Sequence, residues 1–272
     1  MIHKTIDISV KDSQFSAQMI TYFHDRSPKM RKQIRPVILV CPGGAYGYTS
    51  DREAEPLALQ FLSMGYHAVV LRYSTAPARF PEALLQLAQA VAILRENASE
   101  WGINAKKIVI QGSSAGGHLA ACLGVFWNRP FLSMRLGVPA EQIRPNGLML
   151  SYPVITSGKN GHQGSFVNLL GSAYQDLEKL TAVSLESQVT AQTPPTFLWH
   201  TATDEKVPVE NSILFFQALR SAGVSAEMHI FPIGPHGLAL STEETAGPQG
   251  EWIQKECESW IHLARNWMES LN

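Results

Sequence analysis

Five apolar runs punctuate the chain after residue 35, "PVILVC" (36–41), "HAVVLRY" (67–73), "KIVIQG" (107–112), "GLMLSYPV" (147–154) and "PTFLWHTATD" (195–204), and a further strand is expected at "AEMHIFP" (226–232). Strands that are apolar along their length, rather than at alternate positions, are buried on both faces, and such strands belong to parallel sheets covered by helices. The intervening segments fit that picture. Residues 52–64, "PEALLQLAQAVAILREN" (81–97) with proline in its first turn, and "VENSILFFQALRSAG" (209–223) with glycine at its end all read as helices. A last helix is expected from about Glu251, where Trp252, Ile253, Cys257, Trp260, Ile261, Ala264, Trp267, Met268 and Leu271 recur at helical spacing. Three tryptophans on that stripe read as packing against the sheet. Two N-terminal runs, "TIDISV" and "SAQMITYFH", alternate and add two strands. The expected class is α/β, with a mainly parallel central sheet of about eight strands and helices on both faces.

No linker, repeat or low-complexity tract divides the 272 residues, so a single domain over residues 1–272 is expected. Residues 153–194 form a short insertion able to act as a cap, with one helix expected near "SAYQDLEKL" and a polar, glycine-rich "TSGKNGHQGS" before it. Only residues 1–35 precede the first core strand, which leaves no room there for a large cap. A net charge of −1 gives no reason to expect a nucleic-acid partner, and the basic stretch "RSPKMRKQIRP" (26–36) reads as a solvated connection. Cys41, Cys122 and Cys257 are odd in number and lack C-x-x-C spacing, so neither a disulfide framework nor a zinc site is indicated. No histidine pair has H-E-x-x-H spacing, and no metal or cofactor is expected. The N-terminus has no apolar signal-peptide core and no run approaches membrane-spanning length, so a cytoplasmic location without membrane association is expected.

One strand end carries a reactive pattern. "IVIQGSSAGGHLAA" (108–121) runs from a strand into a helix through Gly112-x-Ser114-x-Gly116, the spacing of a nucleophile elbow. Centring the pattern on Ser113 fails, because Gln111 and Ala115 would then stand where glycines are needed. Parallel sheets place their chemistry at the carboxyl ends of their strands. Two further reactive residues stand at such ends: Asp204 in "HTATDEKVP" and His236 in "IGPHGL". A serine hydroxyl becomes a nucleophile when an imidazole takes its proton, and a carboxylate fixes the imidazole tautomer. Ser114, Asp204 and His236 are therefore the candidate catalytic residues. The developing oxyanion needs N–H donors, and Ala115 with Gly44 and Ala45 of "CPGGAYGY" (41–48) are the candidates. Tyr46 and Tyr48 on that loop are candidate substrate-binding residues, with packing as the other reading. His118 reads as a packed helix histidine and His200 as a core residue of its strand.

With these residues in place, the chain resembles the α/β-hydrolase superfamily over nearly its whole length. "PGGAYGYTSDREAEPLALQFLSMGYHAVVLRY" and "GSSAGGHLAA" are similar to the small microbial acetyl esterases, relatives of the hormone-sensitive-lipase type that include acetyl xylan esterases and lipase-like proteins. The resemblance implies an α/β-hydrolase fold and cleavage of short acyl esters without metal or cofactor. The sequence departs from the pattern at Pro42, where many relatives carry histidine, and at Ala45, which replaces a third glycine. The leading reading is a serine carboxylesterase acting through an acyl-enzyme on acetyl-type esters, acetylated sugars among them. An amidase or aminopeptidase-like hydrolase uses the same three residues, and a catalytically dead fold kept for binding is the third reading. The expected partner is a small-molecule ester; homo-oligomerisation stays open.

Overall fold

All of these runs enter one sheet of eight strands in the computed structural model, which describes residues 1–271. The strands are β1 (Thr5–Ser9), β2 (Ser16–Tyr22), β3 (Arg35–Cys41), β4 (His67–Arg72), β5 (Ile103–Ser113), β6 (Gly147–Ser151), β7 (Thr196–Thr201) and β8 (Ala226–Phe231). Their spatial order is β1-β2-β4-β3-β5-β6-β7-β8. β2 runs antiparallel to both neighbours, and the pairings from β4 through β8 are parallel.

β3 shows why continuous apolar runs were needed. Val37, Leu39 and Cys41 enter one core, while Ile38 and Val40 enter the other. The first core is closed by α2 (Glu82–Glu96), preceded in the chain by α1 (Glu55–Ser63), and by the elements that follow it. These are α3 (Ala98–Trp101), α4 (Ala115–Phe126), α5 (Pro130–Leu136) and α6 (Ala140–Ile143). After β6 come α7 (Gln163–Leu170) and α8 (Leu177–Ala182), then α9 (Glu210–Ser221) between β7 and β8. α1 and the last helix, α10 (Trp260–Ser270), cover the opposite face through Leu57, Phe61, Trp260 and Trp267. Each buried leucine- or phenylalanine-sized side chain on these faces contributes on the order of 1.5–3 kcal/mol relative to exposure.

Three local expectations are corrected. The last helix begins at Trp260, not near Glu251. Gly250 and Trp252 both have positive φ (80° and 67°), which no helix continues through. Tertiary contact explains the departure: the Trp252 indole lies 4.1 Å from the Arg52 guanidinium and its Nε1 donates to the His236 carbonyl at 3.0 Å. The buried stripe therefore starts at Cys257, and Trp260 stacks on Trp199 of β7 at 5.0 Å. The helix expected over residues 52–64 is shorter, because Glu53 is drawn to the Gly43 N–H of the preceding loop and Arg52 to the Gly237 and Thr245 carbonyls after β8. The insertion has a helix where a polar loop was expected: His162 caps α7 by accepting from Ser165 N–H at 3.3 Å. Its second helical stretch is broken at Asp176, whose side chain accepts from the Glu178 and Lys179 N–H groups and starts α8.

Candidate active site

The chain leaves β3 toward β4 on one side and β5 toward β6 on the other, so the crevice beyond the carboxyl ends of β3 and β5 is the topological switch point. Ser114 stands there, between β5 and α4, at φ 54° and ψ −119°. That backbone is costly for serine, by about 1–3 kcal/mol, and persists only because its surroundings fix it. Ser114 N donates to Ser151 O at 3.0 Å, and Ser114 O accepts from Val154 N at 3.0 Å and His118 N at 3.1 Å. The flanking glycines are required by close approach. A Cβ on Gly112 would overlap the Gly116 carbonyl, and one on Gly116 would overlap the Cys41 carbonyl at the end of β3.

The loops after β7 and β8 bring Asp204 and His236 to the same serine. His236 Nδ1 donates to Asp204 Oδ2 at 2.6 Å, and His236 Nε2 accepts from Ser114 Oγ at 2.8 Å. Asp204 Oδ1 also accepts from the N–H groups of Lys206 (3.0 Å) and Val207 (2.9 Å). His200, on β7, adds a further donor: its Nε2 lies 3.2 Å from Asp204 Oδ2 and 2.9 Å from Val207 O, while Nδ1 accepts from Ser212 Oγ at 2.8 Å. Burial alone would raise the Asp204 pKa. The hydrogen bonds from His200 and His236 and the charge of His236 outweigh it and hold the carboxyl well below the usual range.

The loop after β3 faces Ser114 with Gly44, Ala45 and Tyr46 all at positive φ (128°, 53° and 58°). Side chains around it hold this arrangement. Asn168 of α7 donates to Ala45 O at 2.9 Å, Tyr73 Oη donates to Pro42 O at 2.7 Å, and Glu53 accepts from Gly43 N–H at 2.9 Å. Among the described residues, the N–H groups of Gly44, Ala45 and Ala115 have no protein acceptor. Gly44, Ala45 and Ser114 line a cavity of about 210 Å³ together with Tyr48, Arg52, Glu53, His162, Lys206, His236 and Trp252. Burial and then the neighbouring His236 push the His162 imidazole below the ordinary histidine range.

The two candidate tyrosines part company. Tyr48 is 66% exposed and lines this cavity. Tyr46 turns into the core, where its hydroxyl donates to His118 Nδ1 at 2.9 Å. The Nε2–H of His118 donates to Val183 O at 2.9 Å, and burial drives its pKa down to about 4. It is a packed histidine, as the sequence suggested. Five residues of the site were not singled out for it: Arg52, Glu53, His162 and Lys206 carried no spacing signal, and Trp252 was assigned to the helical stripe. Only "GPQG" before Trp252 hinted that the helix had not begun. His200 was read as a core residue; its position four residues before Asp204 at a strand end was the available clue. Among the described residues, no group of three or more His, Cys, Asp and Glu is arranged to hold a metal ion, and no helix is long and apolar enough to cross a membrane.

Known proteins resemble this chain over most of its length. The BD-FAE family matches residues 26–219. Endo-1,4-beta-xylanase B of Butyrivibrio fibrisolvens is 39% identical over 239 residues, 85% of this chain and 36% of that protein. An acetyl ester-xyloside bifunctional hydrolase from Caldicellulosiruptor lactoaceticus is 35% identical with a TM-score of 0.81, covering 95% of this chain and 89% of that one. A carboxylesterase from Lactobacillus plantarum is 29% identical with a TM-score of 0.86, covering 99% and 97%. The chain spans about a third to a half of the length of the first curated relatives it matches (36%, 48% and 51%).

Proposed function

The chain belongs to the BD-FAE family of α/β-hydrolases, and from that premise we propose that it is a serine carboxylesterase for short, acetyl-type esters. The observation that carries the reading is the unbroken line from Asp204 Oδ2 through His236 (2.6 Å) to Ser114 Oγ (2.8 Å) at the switch point of the sheet. In this reading His236 Nε2 takes the hydroxyl proton as Ser114 Oγ bonds to the ester carbonyl carbon. Asp204 keeps the proton on Nδ1 and stabilises the imidazolium. The N–H groups of Gly44, Ala45 and Ala115 receive the oxyanion; one such donor is worth roughly 10²–10³ in turnover. The intermediate collapses, the C–O bond to the alcohol breaks, and His236 returns its proton to the leaving oxygen. Water then repeats the sequence on the acyl-enzyme and frees the acid.

The whole chain works in this reading as one domain, with residues 153–194 as a small cap. His162 on the cavity wall and Asn168 on the Ala45 carbonyl are its contributions to the site. Acetylated sugars are the proposed natural esters, supported by the acetyl ester-xyloside hydrolase among the similar structures. The cavity of about 210 Å³ supports a short acyl group. Sites for larger ligands run to about 300–1,000 Å³, and each methylene kept from water is worth about 0.8 kcal/mol. A chain-length series of aryl esters tests this, with an aminoacyl anilide as a further arm. Acetate or propionate is expected to have the highest kcat/KM. Octanoate ahead of acetate would overturn the short-acyl assignment, and the anilide ahead of every ester would overturn the esterase.

A further inference from the structure

Ten residues past Gly43, at the foot of α1, Glu53 is a carboxylate with only 4% of its surface exposed. No cation pairs with it among the described residues, and its two oxygens point to different parts of the site. Oε2 accepts from Gly43 N–H at 2.9 Å, and Oε1 accepts from Tyr152 Oη at 2.7 Å. Tyr152 follows β6 at φ 36°, and its hydroxyl in turn accepts from Ala239 N–H at 2.9 Å, three residues past His236. The Tyr152 ring also meets the His236 imidazole edge-on at 5.1 Å. One buried carboxylate thus joins the loop after β3 to the loop after β8.

We propose that Glu53 is the positioning residue of this site, holding the oxyanion loop and the His236 loop in one register through Tyr152; the proposal rests on the esterase reading above. Three features support it. First, Gly43 N–H is the donor next to the candidate hole, and Glu53 occupies it, so Gly44, Ala45 and Ala115 are left as the free set. Second, the loop is strained at Ala45 and Tyr46, and Ala239 on the other loop has φ 53°, so both segments need an external hold. Third, the fit is tight: a Cβ on Gly43 would come within 2.6 Å of Glu53 Oε2 and 3.0 Å of Ser114 Cβ, so this glycine admits carboxylate and nucleophile together.

Glu53→Gln preserves shape but not chemistry. Two donors, an N–H and an O–H, converge on the carboxylate, and a carboxamide offers one acceptor oxygen and a donor that opposes the other. A small displacement of oxyanion donors acts on the transition state far more than on the bound ester. On p-nitrophenyl acetate, Glu53→Gln is expected to lower kcat by roughly ten- to a hundredfold with KM within about threefold. Inhibition by phenylboronic acid, whose tetrahedral adduct fills the oxyanion hole, should weaken by the same factor as kcat/KM. Tyr152→Phe keeps the Gly43 bond and breaks the link to Ala239; it should lower kcat about fivefold or more with the same split, and it serves as the test if Glu53→Gln does not fold. Each variant is titrated with a fluorophosphonate, so kcat refers to active molecules only. Turnover per titrated site within twofold of the wild type, in Glu53→Gln or, failing its folding, in Tyr152→Phe, would overturn the proposal. So would a loss carried by KM with boronate affinity unchanged. A wild-type chain that hydrolyses no aryl ester would overturn the esterase reading itself.

Discussion

At the ends of β3 and β5, Gly44, Ala45, Tyr46 and Ser114 all sit at positive φ, whereas Asp204 and His236 at the ends of β7 and β8 do not. The first shoulder of the cleft offers main-chain N–H groups and one hydroxyl, so its chemistry depends on where the backbone lies. Glycines in contact with neighbouring carbonyls and a ring of side-chain hydrogen bonds set that position. The second shoulder offers an imidazole and a carboxylate, and its precision comes from donors converging on Asp204. Main-chain function is vulnerable to added bulk, while side-chain function is vulnerable to a changed functional group of the same size.

Isosteric and steric substitutions divide the shoulders accordingly. Asp204→Asn adds no bulk, yet it removes the acceptor that fixes the His236 tautomer; kcat is expected to fall by about 10³–10⁴ while the protein stays folded. Activity within tenfold of the wild type would mean another carboxylate orients His236, with Glu205 the first to examine. On the other shoulder, Gly116→Ala forces a methyl onto the Cys41 carbonyl. A cost of about 3 kcal/mol or more is expected, seen as a Tm lower by roughly 6–12 °C. An unchanged Tm would show that the end of β3 gives way freely and that the first shoulder is not fixed by packing.

His118 lies beneath the strained loop, bonded to Tyr46, and takes no part in the proposed chemistry. Its folded-state pKa is about 4, pushed down by burial from an ordinary 6.5. Between those values the unfolded chain binds a proton that the folded chain refuses, so stability is lost as pH falls from about 6.5 to 4. The slope from one such group approaches about 1.4 kcal/mol per pH unit. His67, also driven to about 4 by burial, adds to it. Asp204, whose pKa is held low, contributes its own loss only below the usual carboxylate range. Thermal melts from pH 7 to 4.5 should show a falling Tm, shallower in His118→Gln; a flat profile would contradict the buried, neutral assignment.

Much of this architecture was legible because burial on both faces leaves an uninterrupted apolar run, and β3 through β7 carry one each. Ser114 could be picked out for a steric reason: only glycine fits at 112 and 116, so the pattern admits one register. Asp204 and His236 could be nominated because strand ends are where such a sheet exposes side chains. What escaped depends on contacts between distant segments. Trp252 left its helix for Arg52 and the His236 carbonyl, and Tyr46 turned toward His118 although Tyr48, two residues on, faces the cavity. Glu53 looked like any first-turn helix carboxylate, since its partners lie 10 and 99 residues away. His162 gave no periodic signal within its glycine-rich surroundings, and its capping bond is what starts α7.

The central claim is that Ser114, activated by His236, is the nucleophile that carries the acyl group. Labelling with a fluorophosphonate, followed by peptide mass mapping, tests it most directly. One adduct per chain is expected, on the Ser114 hydroxyl and not on Ser113, forming at least about a hundredfold more slowly in His236→Ala and absent in Ser114→Ala. An adduct on Ser113, or labelling that persists in Ser114→Ala, would contradict the claim, and a properly folded chain that takes no label would contradict serine catalysis altogether.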